Sequence, residues 1–119
     1  MAVYDLSERL LCFAADVIKF CRILENSIEN RIIKHQLIKA STSVGANYEE
    51  SQGASSRADF SNKVKISLKE IREANYWLKV IERINSRDDC REELAGLLDE
   101  SEQLKKILGA ICQKSNNKL

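Results

Sequence analysis

The sequence predicts an all-α protein, an antiparallel up-down-up-down four-helix bundle, and three observations predict it. Apolar residues recur in steps of four and three over four successive segments, as one face of a helix requires. The chain has no proline and 4 glycines, so it holds few of the breakers on which turn-rich β folds depend. Only short polar stretches part the segments, and short connections make consecutive helices pack antiparallel. At 119 residues the length suits one domain, residues 1–119, with a single core.

The first helix is expected over about residues 5–25, where Leu6, Leu10, Phe13, Val17, Phe20 and Leu24 keep the heptad rhythm. Ala14, Ile18 and Cys21 widen that stripe enough to meet more than one neighbour. Asn26 and Ser27 then break the pattern. The second helix, about residues 29–53, carries Ile33, Leu37, Ala40, Val44, Asn47 and Ser51 on its seam. Its small residues (Ala40, Ser41, Ser43, Gly45, Ala46) let another helix approach closely, and Gly45 costs only about 1 kcal/mol relative to alanine. Gly53 reads as a stop, and Ala54 to Ser56 as a restart.

The third helix is expected over about residues 57–85, capped by the Ser56 hydroxyl, with Asp59 set favourably against the helix dipole. Phe60, Val64, Ser67, Ile71, Ala74, Leu78 and Ile81 form its main stripe. A second stripe beside it includes Ile66, Trp77, Val80 and Ile84, the residues expected to build a subunit interface. The fourth helix, about residues 87–114, opens on a capping pattern at Ser86 to Asp89. Cys90, Leu94, Leu97, Ser101, Leu104, Leu108 and Ile111 continue it before a polar tail, Gln113 to Leu119, expected to fray.

Composition excludes several function classes. No apolar run nears the roughly 20 residues that span a bilayer, and Asp5 and Glu8 occupy the N-terminal stretch where a secretory leader would be basic and then apolar. The expectation is a cytoplasmic protein without a membrane partner. Cys12, Cys21, Cys90 and Cys112 form no C-x-x-C pair and read as reduced, small hydrophobes. The sole histidine, His35, has Ile32 where the Glu-x-x-His of a di-iron bundle needs its glutamate. No metal, cofactor or small-molecule substrate is therefore expected. Without a phosphate loop or nucleophile motif, Glu49, Glu50 and Glu70 read as surface charges, and the protein reads as no enzyme.

Two sets of residues draw functional interest. Asn47 falls on the buried seam by heptad counting, where an unpaired amide costs about 1–3 kcal/mol, so it is expected to bond Glu70 or Glu73 of the third helix and fix register. Net charge is only +1, but Lys34, His35, Lys39, Lys63, Lys65, Lys69 and Arg72 gather centrally, whereas the Glu82 to Glu102 stretch is mostly acidic. These residues are the candidates for binding RNA or DNA phosphates. Tyr76 and Trp77 invite comparison with base-stacking aromatics, although Trp77 shares an apolar stripe with Val80 and Ile84.

The segment Ser43-Val44-Gly45-Ala46-Asn47-Tyr48-Glu49-Glu50, followed by Phe60 and Ile66-Ser67-Leu68-Lys69-Glu70-Ile71, resembles a bacterial family signature. The family comprises four-helix bundle proteins encoded in 23S rRNA intervening sequences, with relatives that include the accessory protein of diversity-generating retroelements. Its pattern runs approximately S-I-P-A-N-I-A-E-G, then an aromatic, then a stretch with Ser and Glu. Ser43, Ala46, Asn47, Glu50, Phe60, Ser67 and Glu70 match it, while Gly45 stands where proline is common and the expected glycine is displaced to Gly53. The resemblance implies copies of the chain assembling as a ring, commonly a homopentamer. In the retroelement relatives it implies a basic ring engaging nucleic acid and a reverse transcriptase.

Overall fold

The computed structural model describes residues 5–85 and 90–118. Four helices follow one another: α1 (Leu6–Ile23), α2 (Ile28–Gln52), α3 (Arg57–Ile84) and α4 (Arg91–Lys118). Their starts follow from local chemistry. The Ser27 hydroxyl accepts the Asn30 amide at 3.1 Å to open α2, and the Ser56 hydroxyl accepts the Asp59 amide at 3.0 Å to open α3. Asp59 returns the favour by accepting the Ser55 amide at 3.2 Å, so two otherwise orphaned donors are satisfied. Gly53 closes α2 with φ −106°, its amide turned back to the carbonyls of Glu50 and Ser51. The capping pattern expected at Ser86 to Asp89 lies outside the described residues. The tail expected to fray from Gln113 instead continues α4 to Lys118.

Cross-helix contacts establish the antiparallel order. Gly45 of α2 lies against Leu10 of α1, Ser67 of α3 bonds Val44 of α2, and Asn75 of α3 bonds Ser101 of α4. Arg9 of α1 reaches Glu100 of α4 and closes the circle. Each helix therefore packs on two others, α1 and α4 meeting least closely. With 28 residues, α3 and α4 each extend about 42 Å and set the 46 Å long axis. The 18-residue α1 covers less of the bundle than its neighbours do.

The core contains the anticipated stripes. Leu10, Val17, Leu37, Val44, Val64, Ile71, Leu78, Ile81, Leu104 and Leu108 are all fully buried. Each such side chain contributes about 1.5–3 kcal/mol relative to exposure, which outweighs the modest intrinsic helix propensities. Cys21, Cys90 and Cys112 join this apolar cluster, whereas Cys12 is exposed. Among the described residues, no helix is long and apolar enough to cross a membrane.

Candidate functional site

Asn47 is half-buried, and its amide donates to the Ser43 carbonyl at 2.9 Å and the Ser43 hydroxyl at 3.1 Å, both on its own helix. The bond expected from Asn47 to Glu70 or Glu73 is thus not the one it makes. Glu73 instead accepts the indole N–H of Trp77 at 3.2 Å, one turn along α3. The polar ties between helices lie elsewhere. The Ser67 hydroxyl donates to the Val44 carbonyl at 2.8 Å, joining α3 to α2. Asn75, 2% exposed, donates to the Ser101 hydroxyl at 2.8 Å and accepts from the Lys105 ammonium at 3.2 Å, joining α3 to α4. Sequence reading missed these ties, although the places of Ser67 and Ser101 on otherwise apolar stripes were a signal that their hydroxyls needed partners.

The central cations separate into structural and exposed groups. Lys34 donates to the Leu24 carbonyl at 2.9 Å, so it caps the end of α1 from α2. Lys63 meets Glu50 at 2.7 Å and bridges α3 to α2. His35 and Lys39 are exposed on α2, beside Arg31. Lys65, Lys69 and Arg72 are exposed on α3, where Tyr76, Lys79 and Arg83 extend the same row at steps of four and three residues. This row runs close to α4, since Lys79 meets Glu102 at 3.2 Å; burial raises the Cys112 thiol of α4, and Lys65 and Arg72 partly oppose that. The sequence already set Tyr76 amid Lys65, Lys69, Arg72 and Lys79, and the same periodicity extends the row to Arg83.

The row is about 27 Å long from Lys65 to Arg83 at a helical rise of 1.5 Å per residue. Tyr76 is 58% exposed within it and packs edge-on against Trp77, with ring centroids 5.2 Å apart. That contact holds an aromatic face among cations. Of the residues expected at a subunit interface, Ile66 is exposed in the N-terminal half of α3 and Ile84 at its C-terminal end, whereas Trp77 and Val80 are half-buried against the core.

A second surface lies on the loosely closed seam between α1 and α4, where a groove of about 570 Å³ opens. Phe13, Phe20, Ile23 and Leu97 make its apolar lining. Its edges carry Asp16, Glu92, Glu93 and Glu100 against the single lining cation Lys19, among the described residues. Arg9 anchors one end with a two-pronged bond to Glu100 at 2.7 and 2.8 Å and a further bond to Gln103 at 2.7 Å. Gly96 lies on the lining, and a Cβ added there would meet no atom within 4 Å. The α1–α4 spacing that opens this groove arises only on assembly of the bundle, so no motif announces it.

Among the described residues, no group of three or more His, Cys, Asp or Glu side chains could hold a metal ion. Burial pushes the Cys21 thiol up to about 11, away from the reactive thiolate form. The Cys12 thiol is also raised, chiefly by its hydrogen bond to Glu8.

Comparison with known proteins places these surfaces in context. The family model for the 23S rRNA-intervening sequence protein matches residues 2–110. A solved Bacteroides thetaiotaomicron structure, described as a protein with unknown function from the S23 ribosomal protein family, is 32% identical with a TM-score of 0.80. The alignment covers 91% of this chain and 98% of that one. No curated protein matches the chain.

Proposed function

This chain belongs to the 23S rRNA-intervening sequence protein family, and from that premise we propose that it is a non-enzymatic interaction protein that works as an assembly of identical copies. The observation that carries this reading is the exposure of large apolar side chains where the bundle is already closed. Leu11 is 64% exposed, Ile23 51%, Ile28 68% and Ile32 60%. The last three belong to the end of α1 and the start of α2, and such exposed apolar groupings mark interaction surfaces when they are contiguous. A closed ring, with five copies as the form favoured by the resemblance, buries these side chains without leaving a free end. Size-exclusion chromatography with light scattering tests this reading. The expected particle is several times the 13.6 kDa chain mass, and a single chain at micromolar concentration would refute the assembly.

The α3 row supports a second reading, in which the assembled protein holds RNA or DNA by its phosphates. Lys65, Lys69, Arg72, Lys79 and Arg83 present charge along one face, with Tyr76 available to stack on an unpaired base. Binding to a structured RNA is expected to weaken as salt rises because phosphate contact releases counterions. Replacing Lys65, Lys69 and Arg72 together by glutamine is expected to flatten that salt dependence by about two to three contacts' worth of slope. Equal binding and an equal salt slope for the wild-type and triple-variant chains would remove the α3 row from this role.

A further inference from the structure

We infer that the α1–α4 groove receives an α2 ridge from a second copy of this chain, formed by Ile28, Arg31, Ile32, His35 and Lys39. This inference rests on the assembly reading and specifies which surfaces meet. All five ridge residues are exposed, at spacings that align them along one face of α2. From Ile28 to Lys39 the ridge is about 16 Å long, and from Phe13 to Ile23 the α1 wall is about 15 Å long. The lengths match. Ile28 and Ile32 supply apolar side chains to a lining that includes exposed Ile23.

Charge selects this pairing over its symmetric alternatives. Ridge against ridge would bring Arg31 and Lys39 toward their own copies, and groove against groove would oppose Asp16, Glu92 and Glu93 with themselves. Ridge against groove sets cations beside carboxylates, and like-charge encounters are disfavoured. The groove is formed by the C-terminal half of α1 and the N-terminal half of α4, while the ridge occupies the N-terminal half of α2. In an antiparallel bundle these three segments share one end of the molecule. Copies joined in this way stand side by side at one level, and a head-to-tail contact of that kind closes into a ring when its rotation permits.

Two variants of the full chain test the inference. Ile32→Glu spoils the ridge and keeps the groove, whereas Gly96→Gln fills the groove and keeps the ridge. A Cβ at Gly96 meets no atom within 4 Å, and circular dichroism checks that both chains fold. Each variant alone is expected to self-associate at least about 30-fold more weakly, the change associated with losing a central contact. Mixed in equal amounts, they are expected to form a two-chain particle and nothing larger, because one intact ridge then meets one intact groove. If the unmodified chain assembles and the folded variants assemble just as well, the groove assignment is overturned while the assembly reading stands. An unmodified chain that stays single overturns both. If Ile32→Glu does not fold, undiminished assembly by Gly96→Gln is sufficient to reject the groove.

Discussion

Two asparagines show how position determines the value of a polar side chain. Asn75 is nearly sealed from water and holds both Ser101 and Lys105, whereas half-buried Asn47 bonds only within its own turn of helix among the hydrogen bonds described. Asn75→Ala is expected to destabilise the fold by about 1–3 kcal/mol because it strips a buried hydroxyl and an ammonium of a partner. Asn47→Ala is expected to cost less than about 1 kcal/mol. Urea unfolding of the two variants checks the contrast, and equal losses would contradict it. Counting heptads put Asn47 on the seam, but a straight helix drifts roughly 20° per heptad, so two heptads beyond Ile33 the register had turned toward the edge. The thiols make a second residue-scale prediction. Cys12 is the exposed thiol, whereas Cys21, Cys90 and Cys112 are buried. A neutral alkylating reagent should therefore modify Cys12 first in the folded protein, with the other three becoming reactive on unfolding.

At the scale of elements, each helix follows from periodicity and caps, and glycine positions mark where neighbours approach. A Cβ at Gly45 would lie 3.4 Å from the Leu10 Cβ, with Leu10 backbone carbon at 3.8 Å. Gly45→Leu is expected to push α1 off α2 and destabilise by about 1–3 kcal/mol. Gly96→Ala meets no obstacle and is expected to stabilise by about 0.5–1 kcal/mol through helix propensity alone. Thermal unfolding should move in opposite directions for the two substitutions. The small residues of α2 disclosed the close approach in advance, but not which helix would make it. That choice depends on the angle at which α1 settles, a property of the assembled core and not of either helix.

For the whole molecule, four apolar stripes and short links were enough to make the bundle legible before any coordinates. The interaction surfaces were legible only in part. Seven central basic residues formed one cluster by sequence, yet packing assigned Lys34 to the end of α1 and Lys63 to Glu50, leaving His35 and Lys39 on α2 and Lys65, Lys69 and Arg72 on α3. The α3 row follows the period of a single helix and was open to reading along its length, whereas the α1–α4 groove belongs to no short motif because it needs helices brought together from distant parts of the chain. The account depends most on exposed apolar side chains being covered by copies of the same chain. Sedimentation equilibrium of the full chain across the micromolar range measures this directly: a multimeric mass that holds on dilution agrees with the account, and a mass of 13.6 kDa throughout contradicts it.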